Sequence, residues 1–297
     1  MIVNGYTRTC GLIGNPVEHT MSPVIHNTLA EAMGENLVYL PFHVPHGHVG
    51  EAVMGAYALN LLGLNVTVPY KSEVLPFLKE TDPLAETIGA VNTLVRTREG
   101  FKGYNTDMPG LYRAMCEDGV EIEGEKILIL GAGGVARAVA ILAARYKARR
   151  ILLLNRTPEK ARKIADEVNS IAGGALAEGM ALENYPSLPE GERYLAIQAT
   201  NVGMFPKTGG AVAEDAAFYR RIHTGYDLVF NPAETKFMRL VRENGGRAFG
   251  GLKMLLYQGI IAYELWTGSK VSRELAEKAY AEMQKAMHIQ REQPGQE

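Results

Sequence analysis

Cysteine is nearly absent from this chain of 297 residues, with only Cys10 and Cys116 present. Two cysteines are too few for a disulfide framework, and these two lack the spacing of a metal site. An excess of one charge is also missing, because 31 Lys and Arg residues face 33 Asp and Glu residues for a net charge of −2. This balance gives no indication of a nucleic-acid or membrane-surface partner.

Long hydrophobic runs are absent as well. No apolar stretch approaches the roughly 18 residues of a membrane-spanning helix, and the N-terminus lacks the pattern of a signal peptide. Hydrophobic residues make up 46% of the chain and charged residues 22%, which is ordinary for a globular protein. We therefore expect a cytoplasmic protein of about two domains, with no membrane partner.

The most informative motif is the segment 126–156, which reads KILILGAGGVARAVAILAARYKARRILLLNR. An apolar run enters a turn of glycines, and an alanine-rich helix and a second apolar run follow. Gly131, Gly133 and Ala136 match the GxGxxA fingerprint, whose small residues let a pyrophosphate approach the amides of a helix N-terminus. A glycine-rich turn alone also occurs in other α/β proteins, but the flanking strands and helix favour dinucleotide binding.

The end of the second apolar run bears on which dinucleotide binds. NAD-binding versions carry an Asp or Glu about 20 residues after the glycines, whereas an Arg there accommodates a 2′-phosphate. This chain instead has Asn155, Arg156 and Thr157, with Lys160 one helical turn later. The sequence therefore predicts NADP (NADPH) as the cofactor.

The order of the elements predicts an α/β fold in two domains. Short apolar strands alternate with helical stretches before residue 105, and the same alternation resumes in the nucleotide-binding half. The segments 63–68 (GLNVTV) and 90–95 (AVNTLV) are interpreted as strands. Beyond Gly250 the chain becomes helical, and we expect these helices to pack on the first domain, leaving a cleft between the domains.

The segment 14–27, GNPVEHTMSPVIHN, carries the first polar cluster. Thr20 and Ser22 precede a proline that is suited to the start of a helix. Two hydroxyls beside the free amides of a helix N-terminus suit a carboxylate ligand. On this segment alone, an N-cap role for Ser22 is the simpler interpretation.

Two further clusters suggest a pair for proton transfer. In NVTVPYK, residues 65–71, Asn65 and Thr67 alternate with valines and Lys71 follows the strand. Asn92 interrupts the next apolar segment, and Asp107 follows a Gly-Tyr-Asn-Thr turn, where a helix cap or Asx-turn is the simpler role. Oxidation of a hydroxyl to a ketone needs a group that accepts its proton, and Lys71 paired with Asp107 would supply one.

Taken together, these segments resemble the shikimate dehydrogenase family over nearly the whole chain. The matching motifs occur in the family's order: GNPVEHTMSPVIHN, GLNVTVPYK, AVNT, NTD, GAGGVARAVA, NRT, ATNVGM, FNP and GLKMLLYQG. The resemblance implies reversible reduction of 3-dehydroshikimate to shikimate with NADPH. It also implies a substrate-binding catalytic domain formed by residues 1–108 and 252–297 and a Rossmann-like NADP-binding domain formed by residues 109–251.

The resemblance also implies a role for individual residues. Lys71 and Asp107 would be catalytic, and the substrate would be held by Thr20, Ser22, Thr67, Asn92, Asp107 and Gln258. NADP would contact Gly131, Ala132, Gly133, Gly134, Val135, Ala136, Asn155, Arg156, Thr157, Lys160, Thr200, Asn201, Val202, Gly203, Met204 and Gly251. The partners are then a small-molecule substrate and a dinucleotide, and the sequence leaves a homodimer open.

Two positions depart from the family's usual residues. Thr20 stands where the family more often has Ser, and Phe230 stands where it commonly has a Tyr whose hydroxyl helps to bind the substrate carboxylate. Loss of one such donor to a charged group costs about 1.5–3 kcal/mol. These departures leave open a preference for quinate over shikimate.

Three other interpretations are distinguishable from the sequence. A quinate/shikimate dehydrogenase using NAD, or both cofactors, would be favoured by an acidic residue at the end of the second cofactor strand, where none is present. A non-catalytic metabolite sensor would be expected to lose Lys71 and Asp107. The histidines of the HVPHGH segment, residues 43–48, could suggest a metal, but hydride transfer needs none, so we expect no metal site.

Overall fold

The computed structural model describes residues 3–292, and side chains as far as Met287. The chain forms two compact units, one from Met1–Leu111 with Leu256–Glu297 and one from Tyr112–Leu255. Within the described residues, no helix is both long enough and apolar enough to cross a membrane.

Strands and helices alternate through both units, so the α/β expectation is confirmed. The strands are β1 (Arg8–Gly14), β2 (Leu37–His43), β3 (Gly63–Val66), β4 (Glu80–Thr81), β5 (Thr93–Arg96), β6 (Phe101–Tyr104), β7 (Lys126–Leu130), β8 (Arg150–Asn155), β9 (Ala177–Ala181), β10 (Tyr194–Gln198), β11 (Ile222–Asp227) and β12 (Arg247–Phe249). The helices are α1 (Ser22–Ala32), α2 (Val49–Ala58), α3 (Pro83–Ile88), α4 (Asp107–Glu117), α5 (Gly134–Arg145), α6 (Pro158–Ala172), α7 (Ala216–Tyr219), α8 (Lys236–Glu243), α9 (Leu252–Thr267) and α10 (Arg273–Glu292).

The first unit is built on a mixed six-stranded sheet in the order β2-β1-β3-β5-β6-β4. β1 pairs in parallel with β2 and β3, whereas β5 runs antiparallel to β3 and β6. Helix α10 packs on α1. Its apolar residues that recur at helical spacing are buried: Ala276, Ala279, Met283 and Met287. The C-terminal helices thus belong to the same unit as the N-terminal sheet.

The second unit is built on a fully parallel six-stranded sheet in the order β12-β11-β10-β7-β8-β9. Counted along this unit, that order is 3-2-1-4-5-6 read from the β9 edge, which is the arrangement of dinucleotide-binding folds. Residues 127–130 and 151–154 are completely buried, because helices cover both faces of such a sheet. The reversal of strand order between β7 and β10 fixes where a ligand crevice opens, at the carboxyl ends of these strands.

Several strand limits differ from the sequence expectation. β3 ends at Val66 rather than residue 68, and Val68 is 66% exposed instead of sharing a buried face with Val66. β5 begins at Thr93, so Asn92 precedes the strand and does not interrupt it. The edge strands β9 and β12 were not foreseen, because AEGMA and RAF carry little of the β-branched pattern that marks a strand.

A buried histidine lies in the aromatic core of the first unit. The His26 ring stacks on Tyr39 with centroids 4.2 Å apart, and the Trp266 ring lies 5.0 Å away. Neither ring nitrogen has a hydrogen-bond partner of ordinary geometry among the described residues. Burial lowers the pKa of His26 to about 3, and the nearby Asn65 side chain opposes this shift only in part. His26 is therefore neutral in the folded state.

This burial predicts a pH-dependent stability of the first unit. An unfolded histidine has a pKa near 6.5, so the unfolded chain binds the extra proton first and stability falls as the pH drops below about 6.5. Between pH 7 and pH 5 we expect His26 to cost about 2 kcal/mol of unfolding free energy. Urea titrations at the two pH values, followed by fluorescence of the single tryptophan, Trp266, measure this loss.

The matched comparison is between His26→Leu and His48→Leu. His26→Leu should lessen the pH-dependent loss, because the side chain that titrates on unfolding is gone. His48 is exposed, so His48→Leu should keep the wild-type pH dependence. An unchanged pH dependence in His26→Leu would show that His26 is not held neutral by burial.

Candidate active site

An ion pair stands at the carboxyl edge of the first sheet. Lys71 follows β3 in a turn, Asp107 is the first residue of α4, and Lys71 Nζ lies 2.7 Å from Asp107 Oδ2. The two side chains are 33% and 19% exposed. The structure therefore brings together the two residues expected to transfer a proton, and it leaves both accessible to a small ligand.

Asn92 fixes the geometry of the Asp107 carboxylate. The backbone N–H of Thr106 can only donate, and it binds Asn92 Oδ1 at 2.7 Å, so the orientation of the Asn92 amide is set. Its Nδ2 then donates to Asp107 Oδ1 at 2.8 Å and to Thr106 Oγ1 at 3.0 Å. With one carboxylate oxygen held by Asn92, the other is directed to Lys71.

The interpretation of Asp107 as a cap is wrong. Its carboxylate accepts hydrogen bonds from Lys71 and Asn92 across the sheet edge. In the first turn of α4, the backbone N–H of Met108 is instead bound by Asn105 Oδ1 at 3.3 Å. The Asp107 carboxylate therefore does not cap its own helix.

A buried polar layer that the sequence did not reveal supports Asn92. Asn65 Nδ2 donates to the Asn92 backbone oxygen at 3.1 Å and to Thr93 Oγ1 at 3.0 Å, and Asn65 Oδ1 accepts from the Tyr39 hydroxyl at 2.7 Å. Asn65 is buried, whereas Thr67 lies beyond the end of β3 and is half-buried. The signal in the sequence was an asparagine inside an otherwise apolar strand.

The two hydroxyls near α1 occupy different environments. The N-cap of α1 is Met21, and Ser22 is the first helical residue, so the N-cap interpretation of Ser22 is wrong. Thr20 Oγ1 accepts a hydrogen bond from the Ser22 backbone N–H at 3.2 Å. Burial raises the pKa of Tyr39, an effect that the hydrogen-bonded Ser22 hydroxyl offsets in part.

Gln258 approaches the N-terminal end of α4, the helix that begins at Asp107, through close backbone packing. It is buried on α9, and Gly110 lies on α4 one turn after Asp107. A Cβ on Gly110 would lie 2.6 Å from the Gln258 backbone nitrogen, so only glycine allows this approach. The packing brings Gln258 beside the first turn of α4.

The glycine turn after β7 has the features of a phosphate cradle. Gly131 has a φ of +115°, and Gly133 is the N-cap of α5 with no side-chain cap, so amides at this helix end lack a side-chain acceptor. Gly133, Gly134 and Val135 are exposed, whereas Ala132 is half-buried and Ala136 is buried against the sheet. The residues present therefore fit a pyrophosphate bound at the N-terminus of α5.

The end of β8 presents a basic surface. Asn155 Nδ2 donates to the Thr157 backbone oxygen at 2.9 Å and shapes the turn into α6. Arg156, Thr157 and Lys160 are exposed. Arg156 on the turn after the second strand of the unit and Lys160 in the first turn of α6 are two cations that fit a ribose 2′-phosphate.

The loop after β10 and the segment after β11 complete the carboxyl edge of the second sheet. In the loop Asn201 and Met204 are exposed, Thr200 and Val202 are half-buried, and Gly203 takes a φ of +85°. A Cβ on Gly251 would collide with the Leu228 backbone oxygen, so glycine is required there. Phe230 is half-buried and lies beyond β11, which ends at Asp227.

Among the described residues, the HVPHGH segment included, no three His, Cys, Asp or Glu side chains are arranged to hold a metal ion.

Comparison with known proteins supports the family resemblance that the sequence motifs indicate. Residues 12–94 match the profile of the shikimate dehydrogenase substrate binding domain, residues 114–181 that of shikimate / quinate 5-dehydrogenase, and residues 251–279 that of the shikimate 5′-dehydrogenase C-terminal domain. A shikimate dehydrogenase (NADP(+)) of Carboxydothermus hydrogenoformans is 40% identical over 94% of this chain and 98% of its own. The chain belongs to the shikimate dehydrogenase family.

Solved structures of other family members share the fold. Shikimate 5-dehydrogenase from Listeria monocytogenes, in complex with shikimate and NAD, superposes with a TM-score of 0.86 at 33% identity over 93% of this chain and 97% of that one. A shikimate dehydrogenase in complex with NADP+ has a TM-score of 0.84 at 34% identity over 94% of this chain and 96% of that one. The two-sheet architecture is therefore that of the family.

The glycine turn yields a paired prediction on stability. Gly131→Ala places a Cβ 2.8 Å from the Thr200 methyl group at a positive φ, so we expect a loss of about 1–3 kcal/mol. Gly133→Ala meets no atom within 4 Å and has a φ of −91°, so it should melt within about 2 °C of the wild type. Differential scanning calorimetry checks both, and equal melting temperatures would contradict the assigned role of Gly131.

Proposed function

We propose that this protein is an NADP-dependent shikimate dehydrogenase, which catalyses the reversible reduction of 3-dehydroshikimate to shikimate in aromatic amino acid biosynthesis. The observation that carries the proposal is the Lys71–Asp107 pair, held in one orientation by Asn92, in a member of the shikimate dehydrogenase family. A positioned lysine and carboxylate that are both accessible to a ligand suit proton transfer.

In the proposed reaction, NADPH supplies a hydride to the substrate carbonyl carbon when it is bound. The Lys71 ammonium donates a proton from Nζ to the carbonyl oxygen, which becomes the hydroxyl of shikimate. In the reverse direction Nζ, as the free amine, accepts that proton. Asp107 Oδ2 holds Nζ in position at 2.7 Å.

We assign substrate binding to residues 1–108 and 252–297 and cofactor binding to residues 109–251. The compact units, which change at Leu111 and Leu255, support this division to within a few residues. Thr20 and Ser22 are proposed to hold the substrate carboxylate. The ring hydroxyls are assigned to Thr67, Asn92, Asp107 and Gln258.

The cofactor is assigned to the carboxyl edge of the parallel sheet. The pyrophosphate is proposed to lie on Gly131, Ala132, Gly133, Gly134, Val135 and Ala136, and the 2′-phosphate on Asn155, Arg156, Thr157 and Lys160. The nicotinamide half is assigned to Thr200, Asn201, Val202, Gly203, Met204 and Gly251. An uncapped helix N-terminus and exposed cations support the first two assignments.

A matrix of two substrates and two cofactors tests the proposal. Shikimate and quinate are each assayed with NADP+ and NAD+ by absorbance of the reduced nicotinamide, and shikimate with NADP+ should give the highest kcat/KM. Faster quinate oxidation with NAD+ would identify a quinate/shikimate dehydrogenase, the alternative for which Phe230 is the evidence in the sequence. No turnover in any combination would favour a metabolite sensor.

Lys71→Ala should lower kcat by about 10²–10⁴-fold, because it removes the group that exchanges the proton. Its melting temperature should stay close to that of the wild type, since Lys71 is partly exposed. Lys79→Ala, at an exposed lysine of the same unit, is the matched control and should retain full activity. Near-normal kcat in Lys71→Ala would remove Lys71 from the mechanism.

Arg156→Ala should raise the KM for NADP+ by at least about tenfold and leave the KM for NAD+ nearly unchanged, because one or two charge-assisted bonds to the 2′-phosphate are lost. Arg149→Ala is the matched control, since Arg149 is exposed just before the opposite, amino end of β8. An equal effect on both cofactors would show that Arg156 acts through the fold.

A homodimer and a cytoplasmic location remain predictions from the sequence. Light scattering tests the homodimer by comparing the mass in solution with the chain mass of 32.5 kDa.

A further inference from the structure

The second unit contains a buried amide and a buried carboxyl group that the proposed reaction does not use. Gln198 is the last residue of β10, Asp227 is the last residue of β11, and the two are register partners in the parallel sheet. Both residues are completely buried. Gln198 Nε2 lies 3.3 Å from Asp227 Oδ1.

The Gln198 amide uses its full hydrogen-bonding capacity. Its Oε1 accepts from the Thr200 backbone N–H and the Thr200 hydroxyl, both at 2.6 Å, and its Nε2 donates to the Val202 backbone oxygen at 3.1 Å as well as to Asp227. A backbone N–H only donates and a backbone oxygen only accepts, so the amide has one orientation. Gln198 therefore fixes the backbone of the loop at residues 200 and 202.

Asp227 anchors this amide and ties in the segment after β11. Its Oδ1 also accepts from the Val229 backbone N–H at 3.0 Å, and its Oδ2 accepts from the Thr235 hydroxyl at 2.6 Å. Thr235 in turn caps α8. Burial raises the pKa of Asp227 to about 6, opposed by the bonds from Thr235 and Val229. Every partner named here donates, which is the pattern that suits a carboxylate.

The loop that these two residues hold also adjoins the glycine turn. The Thr200 methyl group lies where a Cβ on Gly131 would come within 2.8 Å of it. The backbone N–H of Phe205 donates to the Asn231 backbone oxygen at 3.0 Å, which closes the loop against the segment after β11. A shift of the loop would therefore change the edge of the proposed cofactor site at both of its ends.

We propose that Gln198 and Asp227 are positioning residues, which hold residues 199–204 in the conformation that receives the nicotinamide half of NADP. This inference rests on the proposed function. Neither side chain touches the cofactor, because both are completely buried beneath the loop. Because they order the loop in the free protein, less conformational entropy is lost when the dinucleotide binds.

The experiment compares two ligands that share the adenosine half. NADP+ contains the nicotinamide, whereas 2′,5′-ADP ends before it, so only NADP+ reports on the loop. Dissociation constants are measured by isothermal titration calorimetry for the wild type, Asp227→Asn and Gln198→Met. Asp227→Asn keeps an oxygen for Gln198 and Val229 but sets an amide NH2 against the Thr235 hydroxyl, which then has to accept. Gln198→Met removes the loop's bonds at similar volume.

Asp166→Asn provides the matched control for loss of a carboxylate. Asp166 is exposed on α6, in the same unit, and should bind both ligands as the wild type does. Melting temperatures accompany every titration. If Asp227→Asn fails to fold, Gln198→Met decides the question. Residues 200 and 202 are half-buried, so water can replace the hydrogen bonds that they lose to Gln198, and we expect this variant to fold.

For Gln198→Met we expect the dissociation constant of NADP+ to rise by about tenfold and that of 2′,5′-ADP to change by less than about twofold, with a lower kcat for shikimate oxidation. For Asp227→Asn we expect a smaller rise in the same direction. Equal weakening of both ligands would overturn the proposal and assign a purely structural role. Unchanged NADP+ binding would overturn it as well. A wild type that binds NADP+ without oxidising shikimate would refute the proposed function, yet the comparison of the two ligands would still decide the role of the loop.

Discussion

A buried side-chain amide must satisfy an oxygen that only accepts and a nitrogen that only donates, and this constraint organises the functional edge of both sheets. When a backbone group binds one side of the amide, the other side has one direction left. In the first unit the Thr106 backbone N–H binds Asn92 Oδ1, so the Asn92 NH2 group faces Asp107. In the second unit the Thr200 backbone N–H binds Gln198 Oε1, so its NH2 group faces Asp227.

The two amide–carboxylate pairs differ in burial. Asp107 is partly exposed and shares its second oxygen with Lys71, so it can act on a ligand. Asp227 is completely buried, and its second oxygen binds the Thr235 hydroxyl that caps α8. The same interaction thus orients a reactive pair in one unit and fixes a loop in the other. Burial, rather than residue type, decides which role each carboxylate has.

Much of this architecture could be predicted from the sequence. The α/β alternation, the glycine fingerprint and the positions of Lys71 after a strand and Asp107 after a turn follow from short-range patterns, whereas the pairing of these two residues was inferred from the chemistry of hydroxyl oxidation. The apolar positions of α10 follow from a 3.6-residue period. Such patterns are local, because each depends on residues within a few turns of one another.

Other features could not be predicted, since they depend on residues far apart in the chain. The edge strands β9 and β12 exist because neighbouring strands offer them hydrogen bonds, and their own sequences carry little strand preference. The Asn65 layer beneath Asn92 brings Tyr39 of β2 to β3, which a linear pattern does not indicate. The cap role of Asp107 failed for the same reason, because its carboxylate binds the distant Lys71 and Asn92. The cap role of Ser22 failed because α1 begins one residue earlier than expected.

The sequence by itself determined the chemistry that is present: the glycines of a nucleotide turn, cations at the end of β8, a lysine and a carboxylate at strand ends, and a balanced charge. Only the tertiary structure decided which polar side chains support others and which face a ligand. Register across the strands sets Gln198 against Asp227, and the segments just before β5 and α4, which carry Asn92 and Thr106, set the direction of one amide. Hydrogen bonds are directional, so their partners are set only when distant strands have paired and fixed the positions of donors and acceptors.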